Sequence, residues 1–125
     1  MDILGLGFDT TDLPRIAELV DRYGDRFLRR VYTEEEIAYC MRRRDPVPSL
    51  GGRFAAKEAA MKALGTGHSR GVIWKDVEVV RHGGPPQLRL HGAAAGHAAA
   101  MGVRRSLLTI THSTSLAMAQ VLLLG

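Results

Sequence analysis

The sequence predicts an α+β domain, a mainly antiparallel sheet wrapped around a long central helix. Helical spacing governs residues 13–64, while alternation and short apolar runs govern most of the remainder. The elements follow one another as β-α-α-α-β-β-α-β-β, an order that reads as α+β with a mainly antiparallel sheet. At 125 residues and 13.6 kDa the chain has the length of one domain, spanning 1–125.

Ile3–Phe8 is an apolar run with two glycines, read as one buried strand. Asp9, Thr10, Thr11 and Asp12 end it with side chains suited to capping a helix, and Pro14 suits the first turn, where a missing N–H costs little. Leu13, Ile16, Leu19, Val20 and Tyr23 then recur at helical spacing, with Arg15, Glu18 and Arg22 opposite and Gly24 as the stop. Thr33 and Glu36 form a capping box that opens a second short helix running into Arg42, Arg43 and Arg44. Asp45–Pro48 reads as a stiff break. Ser49–Leu64 is the strongest helix, its alanines small enough to let other backbone approach, and Gly65 and Gly67 close it.

The second half changes period. Lys75–Arg81 alternates, with Val77 and Val79 on one face and Asp76 and Glu78 on the other, as in a half-buried strand. His82–Pro86 turns the chain into a hairpin partner at Gln87–Leu90. Ala93–Met101 is a short alanine-rich helix, and Ser106–Thr111 and Leu116–Leu124 are strands around the turn His112–Ser115.

Composition removes several classes. Hydrophobic residues at 46% and charged ones at 24% are globular values and argue against disorder. No apolar run approaches the roughly 20 residues of a bilayer span, and no secretory leader pattern precedes Leu13. The single cysteine, Cys40, can form neither an internal disulfide nor a thiolate zinc cluster, so the expected location is the reducing cytoplasm. A net charge of +4 and a pI near 9.7 favour anionic partners.

No dinucleotide fingerprint, P-loop, nucleophile elbow or zinc-helix motif occurs. What remains is Asp9 at the end of the first strand, with Glu58 and Lys62 four apart on one face of the long helix. Two carboxylates and a lysine converging on one point suit a Mg²⁺ ion and a phosphate chain: hard oxygens take the metal and the ammonium neutralises phosphate. Taken alone, Glu58 and Lys62 also read as an exposed salt bridge, His112 as a turn histidine, and the arginines of helix one as a wet face. A non-catalytic basic binding module for nucleic acid or an acidic protein is therefore the alternative, although aromatic residues rarely interleave with basic ones.

Gly5, Gly7, Asp9, Arg15 and Ile16, in a GxGxDxxxxxRI pattern, resemble the N-terminal signature of a known family, the holo-acyl-carrier-protein synthases, and Arg26–Cys40 is similar to its next block. Lys57, Glu58, Ala59 and Lys62 fill its KEAxxK block, the most specific one, and Trp74–Val79 and Thr109–Ser113 complete the series along nearly the whole chain. The resemblance implies a 4′-phosphopantetheinyl transferase that moves the phosphopantetheine arm of coenzyme A onto a serine of an apo acyl carrier protein, with Mg²⁺ required and adenosine 3′,5′-bisphosphate released. It implies Asp9 and Glu58 as Mg²⁺ ligands and Lys62 at the pyrophosphate. Arg53 and His112, with Ser113 beside the histidine, are implied to hold coenzyme A's phosphates, and Arg15 and Arg22 to meet the carrier's acidic helix. It further implies a homotrimer with active sites between subunits, and no nucleic-acid or membrane partner. Asp12 stands where the family commonly has glutamate, and Pro85 where a turn lysine is frequent.

Overall fold

Two antiparallel sheets flank the long helix in the computed structural model, which describes residues Met1–Gly125. The chain runs β1 (Ile3–Asp12), α1 (Leu13–Tyr23), α2 (Asp25–Val31), α3 (Glu34–Met41) and α4 (Val47–Leu64). A 3-10 turn (Trp74–Asp76) then leads into β2 (Val77–Val80), β3 (Gln87–Leu90), α5 (Gly92–Met101), β4 (Arg105–His112) and β5 (Leu116–Leu124). One sheet has the order β1-β5-β4, and β2 and β3 form a separate hairpin. The α+β architecture around a central helix is the one expected. No helix is long and apolar enough to cross a membrane.

The close approach of β1 to α4 follows from small residues on both sides. A Cβ at Gly5 or Gly7 would collide with the carbonyl oxygens of Ala63 and Ala59 respectively. The buried alanines 55, 56, 59, 60 and 63 form the facing surface and pack with Val121, Leu123 and Leu108 of the sheet. A smaller cluster of Ile16, Leu28, Val31, Tyr32, Cys40 and Leu50 joins α1, α2 and α3 to the start of α4.

Several expectations need correction. β1 is not a buried strand, because its inward positions are the glycines, and Ile3, Leu6 and Phe8 point outward at 68%, 58% and 53% exposure. It also continues through Asp9–Asp12, which pair with Ala119–Leu116 of β5, and Asp12 makes no side-chain cap to α1. α2 is absent from the expected order, since seven residues are too few for helical periodicity to register. Pro48 does not delay α4: it occupies the first turn, where no helical N–H is required of it. Asp76 and Glu78 are buried rather than outward-facing, and Glu78 accepts hydrogen bonds from Thr33 Oγ1 at 2.6 Å and His91 Nε2 at 3.0 Å.

The interior also holds a buried ion pair. Lys57 Nζ, fully buried, donates to Glu36 Oε1 at 2.6 Å and to the carbonyls of Val77 at 2.5 Å and Trp74 at 3.2 Å. Those three bonds use every ammonium hydrogen. Glu36 closes the expected capping box by accepting Thr33 N–H, and its other oxygen takes Val79 N–H at 3.0 Å. Burial lowers the Lys57 pKa from its usual range, and the Glu36 carboxylate opposes that shift. A charge so enclosed is tolerable only because both partners are saturated.

Candidate active site

β1 runs antiparallel to α4, with Gly5 over Ala63 and Gly7 over Ala59. Asp9 follows Gly7 by two strand residues and so lies on the same face of β1. Helical side chains tilt toward the helix N terminus, so Lys62 reaches back along α4 to the strand. Its Nζ lies 2.8 Å from Asp9 Oδ1 and 3.1 Å from the Phe8 carbonyl oxygen. Asp9 is mostly covered, with 17% of its side chain exposed, whereas Lys62 is open to solvent.

Glu58, one turn before Lys62 on the same face, does not pair with it. Glu58 Oε1 accepts the indole N–H of Trp74 at 3.1 Å, and His68 Nε2 lies 3.0 and 3.1 Å from its two oxygens. An ionised carboxylate only accepts, so Nε2 carries the proton. The exposed-salt-bridge reading of Glu58 and Lys62 is thereby corrected: Asp9 and a histidine–tryptophan clamp compete successfully for the two side chains. His68 and Trp74 escaped the sequence reading because they reach Glu58 from a loop and a 3-10 turn with no periodicity.

No three or more His, Cys, Asp or Glu side chains converge as a metal cage. Mg²⁺ needs no such cage, since it binds through one or two carboxylates together with waters and phosphate oxygens. Asp9 and Glu58, both hard-oxygen donors and both partly exposed, fit that requirement. Cys40 is no rival nucleophile: it is buried beside Ser49, and burial pushes its thiol pKa up.

Arg53 and His112 meet at a different place, a cleft of about 500 Å³ also lined by Tyr39, Arg43 and Arg81. The Arg53 guanidinium stacks 4.1 Å from the Tyr39 ring centroid and donates to Ser49 Oγ at 3.1 Å, while its buried Nε has no partner. Arg43 stacks on the same ring at 4.4 Å. Three arginines and a histidine, against the single acid Asp45, give the cleft an excess of basic groups. Ser113 does not line it; its hydroxyl accepts the backbone N–H groups of Ser115 and Leu116 and shapes the turn after His112. Arg43 belonged to a basic run visible in the sequence, but its convergence with Arg81 is a tertiary fact.

A third feature is an apolar groove of about 730 Å³ between α1, α2 and Trp74, floored by Leu19, Phe27 and Phe54 and edged by Arg15, Arg26 and Arg30. Arg22 lies outside the groove lining, 4.0 Å from Glu18 on exposed α1 surface. Arg26 and Arg30 belong to a basic cluster readable in the sequence, but their convergence with Arg15 on one groove is a tertiary fact.

A strand acid held by a helix lysine, a second acid one turn away, and flanking basic surfaces describe a site for handling phosphate esters. Residues 5–119 match the family model of the 4′-phosphopantetheinyl transferase superfamily, and the chain belongs to that superfamily. Within it, the chain is 50% identical over 122 residues to the holo-[acyl-carrier-protein] synthase of Koribacter versatilis, covering 97% of this chain and 98% of that one. Its fold superimposes on the holo-[acyl-carrier-protein] synthase of Neisseria meningitidis with a TM-score of 0.90 at 30% identity, covering 99% and 100% of the two chains. The Helicobacter pylori synthase, solved in complex with coenzyme A, matches with a TM-score of 0.83 at 27% identity over 94% and 98%.

Proposed function

We propose that this chain transfers the 4′-phosphopantetheine group of coenzyme A to a serine of an apo acyl carrier protein. The observation that carries the reading is the 2.8 Å contact of Lys62 with Asp9, with Glu58 on the same helix face. The serine oxygen forms a bond to the phosphorus next to pantetheine and gives up its proton to solvent water, and the bond from that phosphorus to the bridging oxygen breaks. Adenosine 3′,5′-bisphosphate leaves. Such a displacement requires positioning and charge neutralisation more than covalent help.

Asp9 and Glu58 would hold Mg²⁺, which when bound supplies neutralisation of charge on the phosphoryl oxygens. Lys62 offsets the negative charge gathering on the departing phosphate. Arg53 and His112 bind the nucleotide's phosphates in the cationic cleft, joined there by Arg43 and Arg81. Ser113 contributes by shaping the turn that follows His112. Arg15, with Arg26 and Arg30, meets the acidic helix of the carrier, whose apolar side chains enter the groove. Arg22 would lie at the margin of that interface. The enzyme acts in the cytoplasm, where its single buried cysteine stays reduced.

The same reading calls for more than one copy. Arg53 and Glu58 are five residues apart on α4, about 140° around the helix, so the cleft and the acid pair face different directions. The outer face of the β1-β5-β4 sheet exposes Leu6, Phe8, Leu107 and Leu116, and Leu6, Leu122 and Leu107 lie in cross-strand register. An apolar ladder of this kind suits burial against further copies. A trimer would bring the cleft of one subunit to the acid pair of the next.

The test mixes the protein with coenzyme A, Mg²⁺ and an apo carrier and follows the carrier by mass spectrometry. A mass gain of one phosphopantetheine group supports transfer. Salt-sensitive DNA binding without any such gain would instead favour the basic binding module.

A further inference from the structure

Trp74 is the chain's only tryptophan, and the reaction described above uses neither its ring nor its N–H. It is nonetheless held from several sides. The buried Lys57 ammonium donates to its backbone carbonyl at 3.2 Å. Its ring lies 6.0 Å from that of Phe54 and 4.6 Å from that of His68. From this anchored position the indole N–H donates to Glu58 Oε1 at 3.1 Å. The same side chain forms part of the apolar groove edged by Arg15, Arg26 and Arg30.

A glutamate has three freely rotating side-chain bonds, and a carboxylate aimed at an ion keeps its aim through its other hydrogen bonds. Glu58 has two such partners. His68 is the looser of them, on an exposed loop with 42% of its side chain open. Trp74 is the rigid one, fastened to the Lys57–Glu36 pair through its own backbone.

We propose that Trp74 is a positioning residue, orienting the Glu58 carboxylate through its indole N–H while its ring walls the groove that receives the carrier. One side chain then joins the acceptor's docking surface to an acid of the reaction centre. The proposal rests on the reading of Glu58 as an ion ligand. The two ends of the indole are separable by substitution: Trp74→Phe keeps an aromatic wall and removes the donor, whereas Trp74→Ala removes both.

The experiment titrates the full-length protein with Mn²⁺ alone and follows the free ion by electron paramagnetic resonance, with carrier kinetics run in parallel. Trp74→Phe is expected to weaken Mn²⁺ binding about tenfold and to leave the KM for the carrier within about twofold of wild type. Trp74→Ala is expected to raise both constants. Wild-type Mn²⁺ affinity in Trp74→Phe would overturn the positioning role. Absence of Mn²⁺ binding by the wild-type protein would overturn the ion-ligand reading of Glu58 instead. A second measurement needs no tryptophan variant: the single indole N–H resonance of the wild-type protein is expected to exchange slowly with solvent and to exchange faster in Glu58→Ala. An unchanged resonance and exchange rate would overturn the Trp74–Glu58 bond itself.

Discussion

Lys62 of α4 and Asp9 of β1 are 53 residues apart in the chain, and their side chains meet at 2.8 Å. The contact exists because Gly5 and Gly7 let the strand lie directly on the helix backbone. Side chains at those two positions would lift β1 away and take Asp9 with it. A binding geometry is thus built from the absence of side chains two and four residues earlier.

Asp9→Ala and Glu58→Ala are each expected to lower kcat/KM for transfer by at least about a hundredfold. Neither acid belongs to a core cluster, so thermal unfolding of both variants should stay within a few degrees of wild type. Substantial activity in either variant, measured by carrier mass shift, would remove that acid from the reaction.

Arg15→Glu is expected to raise the KM for the carrier while leaving that for coenzyme A nearly constant, because like charges would then face each other across the groove. Arg22→Glu should act more weakly, since Arg22 stands outside the groove lining beside Glu18. Equal effects of the two substitutions, or equal movement of both constants, would displace the docking face from the groove.

Lys57→Met should destabilise the fold by about 3–5 kcal/mol, since it strands the buried Glu36 carboxylate. Urea unfolding measures the loss directly. The double variant Lys57→Met with Glu36→Leu is expected to recover part of it, because no uncompensated charge remains.

Glu78 makes stability depend on pH. Burial pushes its pKa up, but hydrogen bonds from Thr33 and His91 and the charges of His91 and Arg89 outweigh that effect and leave it below the ordinary 4.5. A carboxyl lowered on folding contributes stability that is complete above 4.5 and is lost as pH falls through its folded value. The gap in melting temperature between wild type and Glu78→Gln should therefore be wider above pH 4.5 than below it and should narrow as the pH is lowered past 4.5. A gap independent of pH would show that the hydrogen bonds alone, without the charge, are responsible.

Local signals were legible in the sequence. The Thr33–Glu36 capping box forms as read, and so does the left-handed Gly65 that ends α4. Both depend on contacts within a few residues, which spacing reports directly. The same holds for Glu58 and Lys62 sharing a helix face, because helical pitch places them there whatever surrounds them. The KEAxxK block rests on such local order, and the family match around it spans residues 5–119.

Partner choice was decided elsewhere. Pitch alone offered Lys62 to Glu58, but the packing of β1 on α4 presented Asp9 instead, while the loop after α4 and the 3-10 turn beyond it presented His68 and Trp74 to Glu58. Alternation marked Glu78 as solvated, yet the neighbouring Thr33 and His91 made its burial tolerable. Residue types and their periods settle which elements form and which side chains share a face. Which of several candidates meets a charged group depends on distances between segments remote in sequence, and those arise only when backbone packing brings the segments together.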